Sequence, residues 1–474
     1  MRHYDLCVIG SGPAGQKCAI QAAKLGKHVC VVEKSPVVGG SAVHTGTIPS
    51  KALREAILNL GGRRVGGGAM PRIRDFVAGR DATFRDLLSE CQKVIRAEID
   101  LVRGHFASNG IDLKFGTASF RDAGSVDVRG EHSMESLSAD FFLIAVGTQP
   151  AKPPGMPFDQ QDVITSDELL VLDHMPRSMI VVGGGVIGTE YASMLAALGV
   201  RVTLVEGRSR VLDFVDSEIC EALQYHLRQN DVTLRLGEKV VRVERQKSER
   251  AARVGNEYLA VATLESGKTI TADCLLYAIG RQGATEALNL SAAGLEADDR
   301  GRILVDAGFR TKVPHIFAAG DVIGFPALAS TSLEQGRLAA CGMFGERCEK
   351  VDDLLPYGIY SIPEISMVGW TEERLTKENI PYEAGIAQYK ETARGQLLGD
   401  EIGMLKLLIH QESHQILGVH AIGTGATELI HIGQTAMAFR ATVEYFVNTV
   451  FNYPTLAECY KVAALNGLNK LRHA

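Results

Sequence analysis

Gly10, Gly12 and Gly15 follow the G-x-G-x-x-G spacing, and an acid, Glu33, comes about twenty residues later. Gly183, Gly185 and Gly188 repeat the spacing, and Glu206 stands where Glu33 does. Each position has a mechanical purpose. The first glycine permits a tight turn, the second lets backbone approach a pyrophosphate, and the third allows close packing of helix on strand. A pyrophosphate then rests on free N–H groups at a helix N-terminus, where the macrodipole favours negative charge. The carboxylate accepts hydrogen bonds from a ribose. The chemistry implied is the holding of two dinucleotides.

The elements that must position these residues are legible around them. In YDLCVIGSGPAGQKCAIQAAKLGKHVCVVEK a β-type run, Leu6 to Ile9, meets the glycines. An alanine-rich helical pattern follows, and a second strand closes on Glu33. In SMIVVGGGVIGTEYASMLAALGVRVTLVEGRSR the same order of strand, glycines, helix, strand and acid recurs. One glycine-rich turn is a weak signal, but the whole ordered unit occurring twice is a strong one.

At 474 residues the chain is long enough for two to four domains. Its composition, 46% hydrophobic and 22% charged, is that of a soluble globular protein. A net charge of −6 argues against nucleic acid or an anionic membrane as the main partner. The start, MRHYDLCVIG, runs directly into a strand pattern, and no apolar run is long enough to span a bilayer. A cytoplasmic protein is expected. The nine cysteines form no C-x-x-C pair and no zinc spacing, so free structural thiols and no metal site are expected.

The stretch GGSAVHTGTIPSKALR, residues 39–54, resembles the redox-disulfide segment of the pyridine nucleotide-disulfide oxidoreductases, the family of dihydrolipoamide dehydrogenase and glutathione reductase. The family pattern is GG-x-C-x4-C-x-PSK, and here Ala42 and Thr47 occupy the two cysteine positions. Neither side chain forms a disulfide or a thiolate, so that electron relay is absent. The resemblance covers essentially the whole chain. TKVPHIFAAGDV, residues 311–322, is similar to the family's second flavin motif, which implies that Asp321 after Gly320 binds the ribityl chain. FFLIAVGTQP (141–150, with Gly147) and YAIGRQ (277–282, with Gly280) are similar to the linkers where the chain leaves and re-enters the flavin domain.

The expected fold is α/β, with two Rossmann-like dinucleotide-binding domains and a C-terminal α+β domain. The resemblance implies an FAD domain over 1–150 and 280–348, an NAD(P) domain over 151–279, and an interface domain over 349–474 that makes a homodimer. Gly10, Gly12, Gly15, Glu33, Gly40, Thr47, Lys51, Gly147, Gly280, Gly320 and Asp321 would then serve FAD. Gly183, Gly185, Gly188, Glu206 and Arg208 would serve the nicotinamide nucleotide. Lys51 and Glu190 pair beside flavin N5 in relatives, where a cation stabilises the reduced flavin. A glycine- and arginine-rich stretch, 60–80, reads as a surface loop.

The thiol machinery is lost at its other end too. Relatives carry a histidine in H-P-T-x-x-E, and here FNYPTLAE puts Tyr453 at that position and Glu458 at the acid. A phenol does not exchange protons readily at neutral pH as an imidazole does. GTIPSKALR together with FNYPT-x-AE resembles the soluble, flavin-dependent transhydrogenase branch of the family. This implies ping-pong hydride transfer between NADP(H) and NAD(H) through FAD, a reaction that is mostly positioning. The alternatives are an NAD(P)H-dependent quinone or dye reductase, and a nucleotide-binding module without turnover. Glu206 favours NAD because a carboxylate repels the extra phosphate of NADP, whereas Arg208 and Arg210 are placed to receive it.

Overall fold

The computed structural model describes residues 1–62, 84–172, 174–248, 258–347 and 354–472. The chain gathers into two compact units: Met1–Leu53, Leu88–Lys152 and Gly280–Val351 form one, and Arg54–Leu87, Pro153–Ile279 and Asp352–Ala474 form the other.

The first unit is built on a seven-stranded sheet. Arg2–Ile9 lies at its centre, paired in parallel with Val29–Glu33 on one side and Met134–Ile144 on the other. Ile316–Ala318 joins Met134–Ile144, also in parallel. The central strand alternates between two cores. Cys7 and Ile9 pack with Phe120 and Phe142, while Leu6 and Val8 pack with Ala14, Cys18 and Ala22 of the helix Pro13–Lys24. Coverage on both faces explains why the strand reads as an almost unbroken apolar run. Helix Ala329–Phe344 lies against Pro13–Lys24 so closely that a Cβ at Gly336 would stand 2.9 Å from Ala14 Cα and closer still to its carbonyl. Gly336→Ala is expected to cost about 1–3 kcal/mol of stability, read as a lowered Tm. An unchanged Tm would show that these helices separate freely.

The second unit holds a five-stranded parallel sheet in the order Thr233–Leu236, Arg201–Glu206, Ser178–Val182, Cys274–Tyr277, Val163–Ile164. A three-stranded antiparallel sheet, Val240–Lys247, Tyr258–Leu264 and Thr269–Ala272, accompanies it. The C-terminal part adds a five-stranded antiparallel sheet, with helices Ala426–Ala438 and Glu458–Leu471 packed on it. The α/β architecture expected from the sequence is present. Lys406 on the strand Met404–His410 is fully buried, and its ammonium lies 2.9 Å from the equally buried Asp216. Glu218 at 2.9 Å and Glu372 at 3.3 Å complete the cluster. Burial by itself would lower the lysine pKa, but these carboxylates outweigh it and raise it.

Candidate active site

The first glycine cradle is shaped as its spacing predicts. Gly10 has φ +107°, and a Cβ there would run into the carbonyl of Ala145. At Gly15 a Cβ would strike the carbonyl of Gly10. Gly12 begins the helix Pro13–Lys24 in an extended conformation, without a side-chain cap. Nothing lies within 4 Å of where its Cβ would stand. The backbone of Gly40, φ +61°, comes against Gly12, so the GG segment and the glycine loop meet. Uncapped N–H groups with close backbone on one side fit a pyrophosphate.

Glu33 is buried and anchors this loop. Its Oε2 accepts from the amide and hydroxyl of Ser11 at 3.0 and 2.6 Å, and its Oε1 from the Ser35 amide at 2.8 Å. Ser11 Oγ in turn accepts from the Gly39 amide at 2.9 Å. Ser11 therefore ties the glycine loop to the GG segment, a role not foreseen from the sequence. Its one signal was its place as the variable residue of G-x-G.

Asp321 opens a short 3-10 turn just after Gly320, which has φ +82° and donates its amide to Gln335 at 2.8 Å. Burial pushes the Asp321 carboxyl above the usual carboxylate range, although Arg281 opposes the shift. Arg281 itself donates to the hydroxyl and carbonyl of Thr148, each at 2.8 Å. The strands Thr148–Pro150 and Arg281–Gly283 pair antiparallel, and Gly147 and Gly280, at φ +64° and +78°, stand where each begins. The two linkers read from the sequence thus meet, and both glycines adopt the left-handed conformation that glycine tolerates best.

An acid whose folded pKa is raised stabilises the fold only below its unfolded pKa, and that contribution disappears as pH rises through the folded value. For Asp321 the loss begins near 3.8, its ordinary value, and continues upward. Asp321→Asn is therefore expected to raise the Tm of flavin-free protein at neutral pH while weakening FAD binding about tenfold. Flavin fluorescence titration and a melting curve check the two effects. A mutant that melts lower and binds FAD as before would remove the residue from the site.

The second cradle repeats the first. Gly183 has φ +110°, and a Cβ there would stand 2.7 Å from the Ala278 carbonyl. Gly188 backs onto the Gly183 carbonyl, and Gly185 caps the helix Val186–Ala197 with nothing within 4 Å of its Cβ position. Glu206 accepts from the Gly184 amide at 2.6 Å, as Glu33 does from Ser11. Its other partners differ. Arg208 donates its backbone amide at 2.8 Å, Nε at 2.9 Å and Nη2 at 3.0 Å to the same carboxylate. Burial by itself would raise the Glu206 pKa, but these bonds outweigh it and hold the carboxyl below its ordinary value. Arg210 is engaged elsewhere, with Glu373 at 3.0 Å and the Asp213 carbonyl at 2.8 Å. The sequence offers both arginines to a 2′-phosphate, and their partners separate them.

Glu190 is buried on the helix Val186–Ala197, and its Oε1 accepts from the Tyr360 amide at 2.8 Å. Lys51 lies near the start of the helix Thr47–Gly62, partly buried, its ammonium 3.3 Å from the Ser50 hydroxyl. The two belong to different units. Ala42 lies in the short helix Gly40–His44, and Thr47 begins the next one. Tyr453 is 75% exposed, and Glu458 accepts from the Thr455 amide at 3.3 Å. From residue 63 onward, the glycine- and arginine-rich stretch lies outside the described residues.

Cys7, Cys18, Cys30, Cys91, Cys220, Cys274 and Cys459 are free and buried. Burial pushes the Cys91 thiol to about 11 and those of Cys220 and Cys459 to about 12, so they keep their protons at neutral pH. Cys341 is disulfide-bonded, which corrects the expectation of free thiols throughout. Among the described residues no cluster of His, Cys, Asp or Glu is suited to a metal ion. No described helix is long and apolar enough to cross a membrane.

Residues 4–336 match the family model described as pyridine nucleotide-disulphide oxidoreductase, and residues 355–464 match the dimerisation domain of that family. The chain belongs to the pyridine nucleotide-disulphide oxidoreductase family. It is 52% identical to a protein named soluble pyridine nucleotide transhydrogenase from Mycobacterium tuberculosis, covering 100% of this chain and 98% of the relative. A protein of the same name from Photobacterium profundum is 45% identical over 99% of this chain and 98% of its own. Among solved structures, the HOCl-induced flavoprotein disulfide reductase RclA from Escherichia coli superposes with a TM-score of 0.86 at 26% identity, covering 98% of this chain and 99% of that one. LpdA from Mycobacterium tuberculosis, at 24% identity and a TM-score of 0.86, shares the fold.

Proposed function

We propose that this protein is a flavoenzyme that transfers hydride between NADPH and NAD+ through FAD, a soluble pyridine nucleotide transhydrogenase. One observation carries the reading: two complete dinucleotide cradles coexist with Ala42 and Thr47 at the positions of the redox disulfide. Bound FAD supplies a hydride acceptor and donor at N5. The remaining work falls to the chain. The helix N-terminus at Gly12, with Gly40 beside it, would hold the FAD pyrophosphate, and Glu33 and Asp321 its ribose and ribityl hydroxyls. Gly183, Gly185, Gly188 and Glu206 would hold the nicotinamide nucleotide, and Arg208 the 2′-phosphate of NADP(H). Lys51 would present a cation beside N5, and Glu190 is the second catalytic residue of this reading. Thr47 stands at a redox-cysteine position and offers no thiol to accept electrons, which would leave the nicotinamide nucleotides as both donor and acceptor.

We assign the FAD domain to 1–150 and 280–348, the NAD(P) domain to 151–279, and the interface domain to 349–474. Phe439, Tyr445, Val450 and Tyr453 are exposed apolar or aromatic residues on the last of these, which suits association of two copies. A cytoplasmic setting supplies both nucleotides and suits the seven free thiols among the described residues.

The test is an anaerobic assay of NADPH with the thio analogue of NAD+. Appearance of the reduced analogue at a rate proportional to enzyme supports the reading. Flavin bleaching by NADPH with no hydride reaching the analogue would replace it with a quinone or dye reductase.

A further inference from the structure

A ping-pong transhydrogenase has to accept, at one site, both a ribose with a free 2′-hydroxyl and one with a 2′-phosphate. The ribose-reading acid of the second cradle is not free to do the first without rearrangement. Gly184 N, Arg208 N, Arg208 Nε and Arg208 Nη2 place four donors on the two Glu206 oxygens, which fills the four acceptor positions of a carboxylate. In the first cradle the three donors on Glu33 come from Ser11 and Ser35 and carry no charge. The second site therefore adds a cation to a common plan.

The far edge of that cation is also occupied. Arg208 Nη1 donates to the Asp213 carboxylate. Asp213 is held in turn, because Arg210 Nη2 donates to its backbone carbonyl at 2.8 Å while Arg210 Nη1 is fixed by Glu373 at 3.0 Å. Glu373 is itself anchored by the Ser217 amide at 3.0 Å. Arg208 and Asp213 are each 45% exposed, so a ligand can reach the guanidinium from the side that Asp213 guards.

We propose that Asp213 is a specificity-determining residue that competes with the nucleotide 2′-phosphate for Arg208. The proposal rests on the nucleotide-binding reading above and deepens it. With NADP(H), Arg208 keeps its fork on Glu206, whose charge it neutralises, and exchanges the Asp213 carboxylate for the phosphate. With NAD(H), Asp213 draws the guanidinium outward, and the acceptor position released on Glu206 takes the ribose hydroxyl. The competition lowers affinity for the phosphorylated nucleotide, so that neither substrate monopolises the site. Arg210 is a positioning residue, because it fixes Asp213.

Calorimetric titration of FAD-loaded enzyme with 5′-AMP and with adenosine 2′,5′-bisphosphate tests this without requiring hydride transfer. The quantity read is the ratio of the two affinities. Asp213→Asn is expected to shift the ratio toward the bisphosphate about twofold to fivefold, the range of a half-exposed ion pair. Arg208→Met is expected to shift it the other way about tenfold to a hundredfold. In the Arg208→Met background the Asp213→Asn effect should vanish, because the competition has lost its object. An unchanged ratio in Asp213→Asn overturns the proposal. So does an equal shift in both backgrounds, which would mean a general loss of negative charge. Failure of the transhydrogenase assay with this pattern intact would overturn the activity and leave the competition standing. Wild-type enzyme that binds neither ligand would overturn both.

Discussion

Lys406→Met is expected to cost about 3–5 kcal/mol of stability, seen as a large drop in Tm and in the urea midpoint. Lys406 and Asp216 have no exposed side-chain surface, so removing the ammonium leaves a carboxylate buried without its cation. Two further carboxylates, Glu218 and Glu372, face the same point and would then repel one another. Asp216 also caps the helix Ser217–Gln229 by accepting from the Glu218 amide at 3.2 Å, so its disturbance reaches secondary structure. Adding Asp216→Asn should recover part of the loss, because the buried charge goes and an amide oxygen can still cap. A drop below about 1 kcal/mol in the single mutant would mean that water reaches the cluster.

Lys51→Met is expected to slow flavin reduction by NADH or NADPH about a hundredfold, read as the rate of bleaching in anaerobic stopped flow. The expectation follows from electrostatics. A fixed cation from Lys51 beside bound FAD would stabilise the negative charge of the reduced cofactor without reorganising. Lys51→Arg should recover part of the rate, because the charge returns at a different reach. Glu190→Gln should have a smaller effect than loss of the lysine, since it leaves that cation in place and keeps an acceptor for the Tyr360 amide. An unchanged rate in Lys51→Met would remove the residue from the reaction, whatever its effect on stability.

The glycine cradles were legible in the sequence because their demands are local. A positive φ at Gly10 or Gly183, and the absence of a Cβ at Gly15 or Gly188, are requirements of a single turn and its helix. The loss of the redox disulfide was equally plain, since Ala42 and Thr47 cannot become thiols in any fold. Ser11 was not visible, because its value lies in joining Glu33 to Gly39, 28 positions beyond it in the chain. Cys341 was misread for a related reason: whether a thiol is bonded depends on what the fold brings beside it.

By itself, then, the sequence determined the α/β plan, the two glycine turns with their helices and the absence of a thiol relay. Only the tertiary structure gave Arg208 and Arg210 their different partners. The two arginines have the same charge and stand two residues apart, so no local rule separates them. Their roles diverge because Glu373, 163 positions away, is folded against Arg210 and binds it, while Arg208 is left across Glu206 with Asp213 on its outer edge. Charge partners are chosen by three-dimensional proximity, and a distance of a few ångströms decides them.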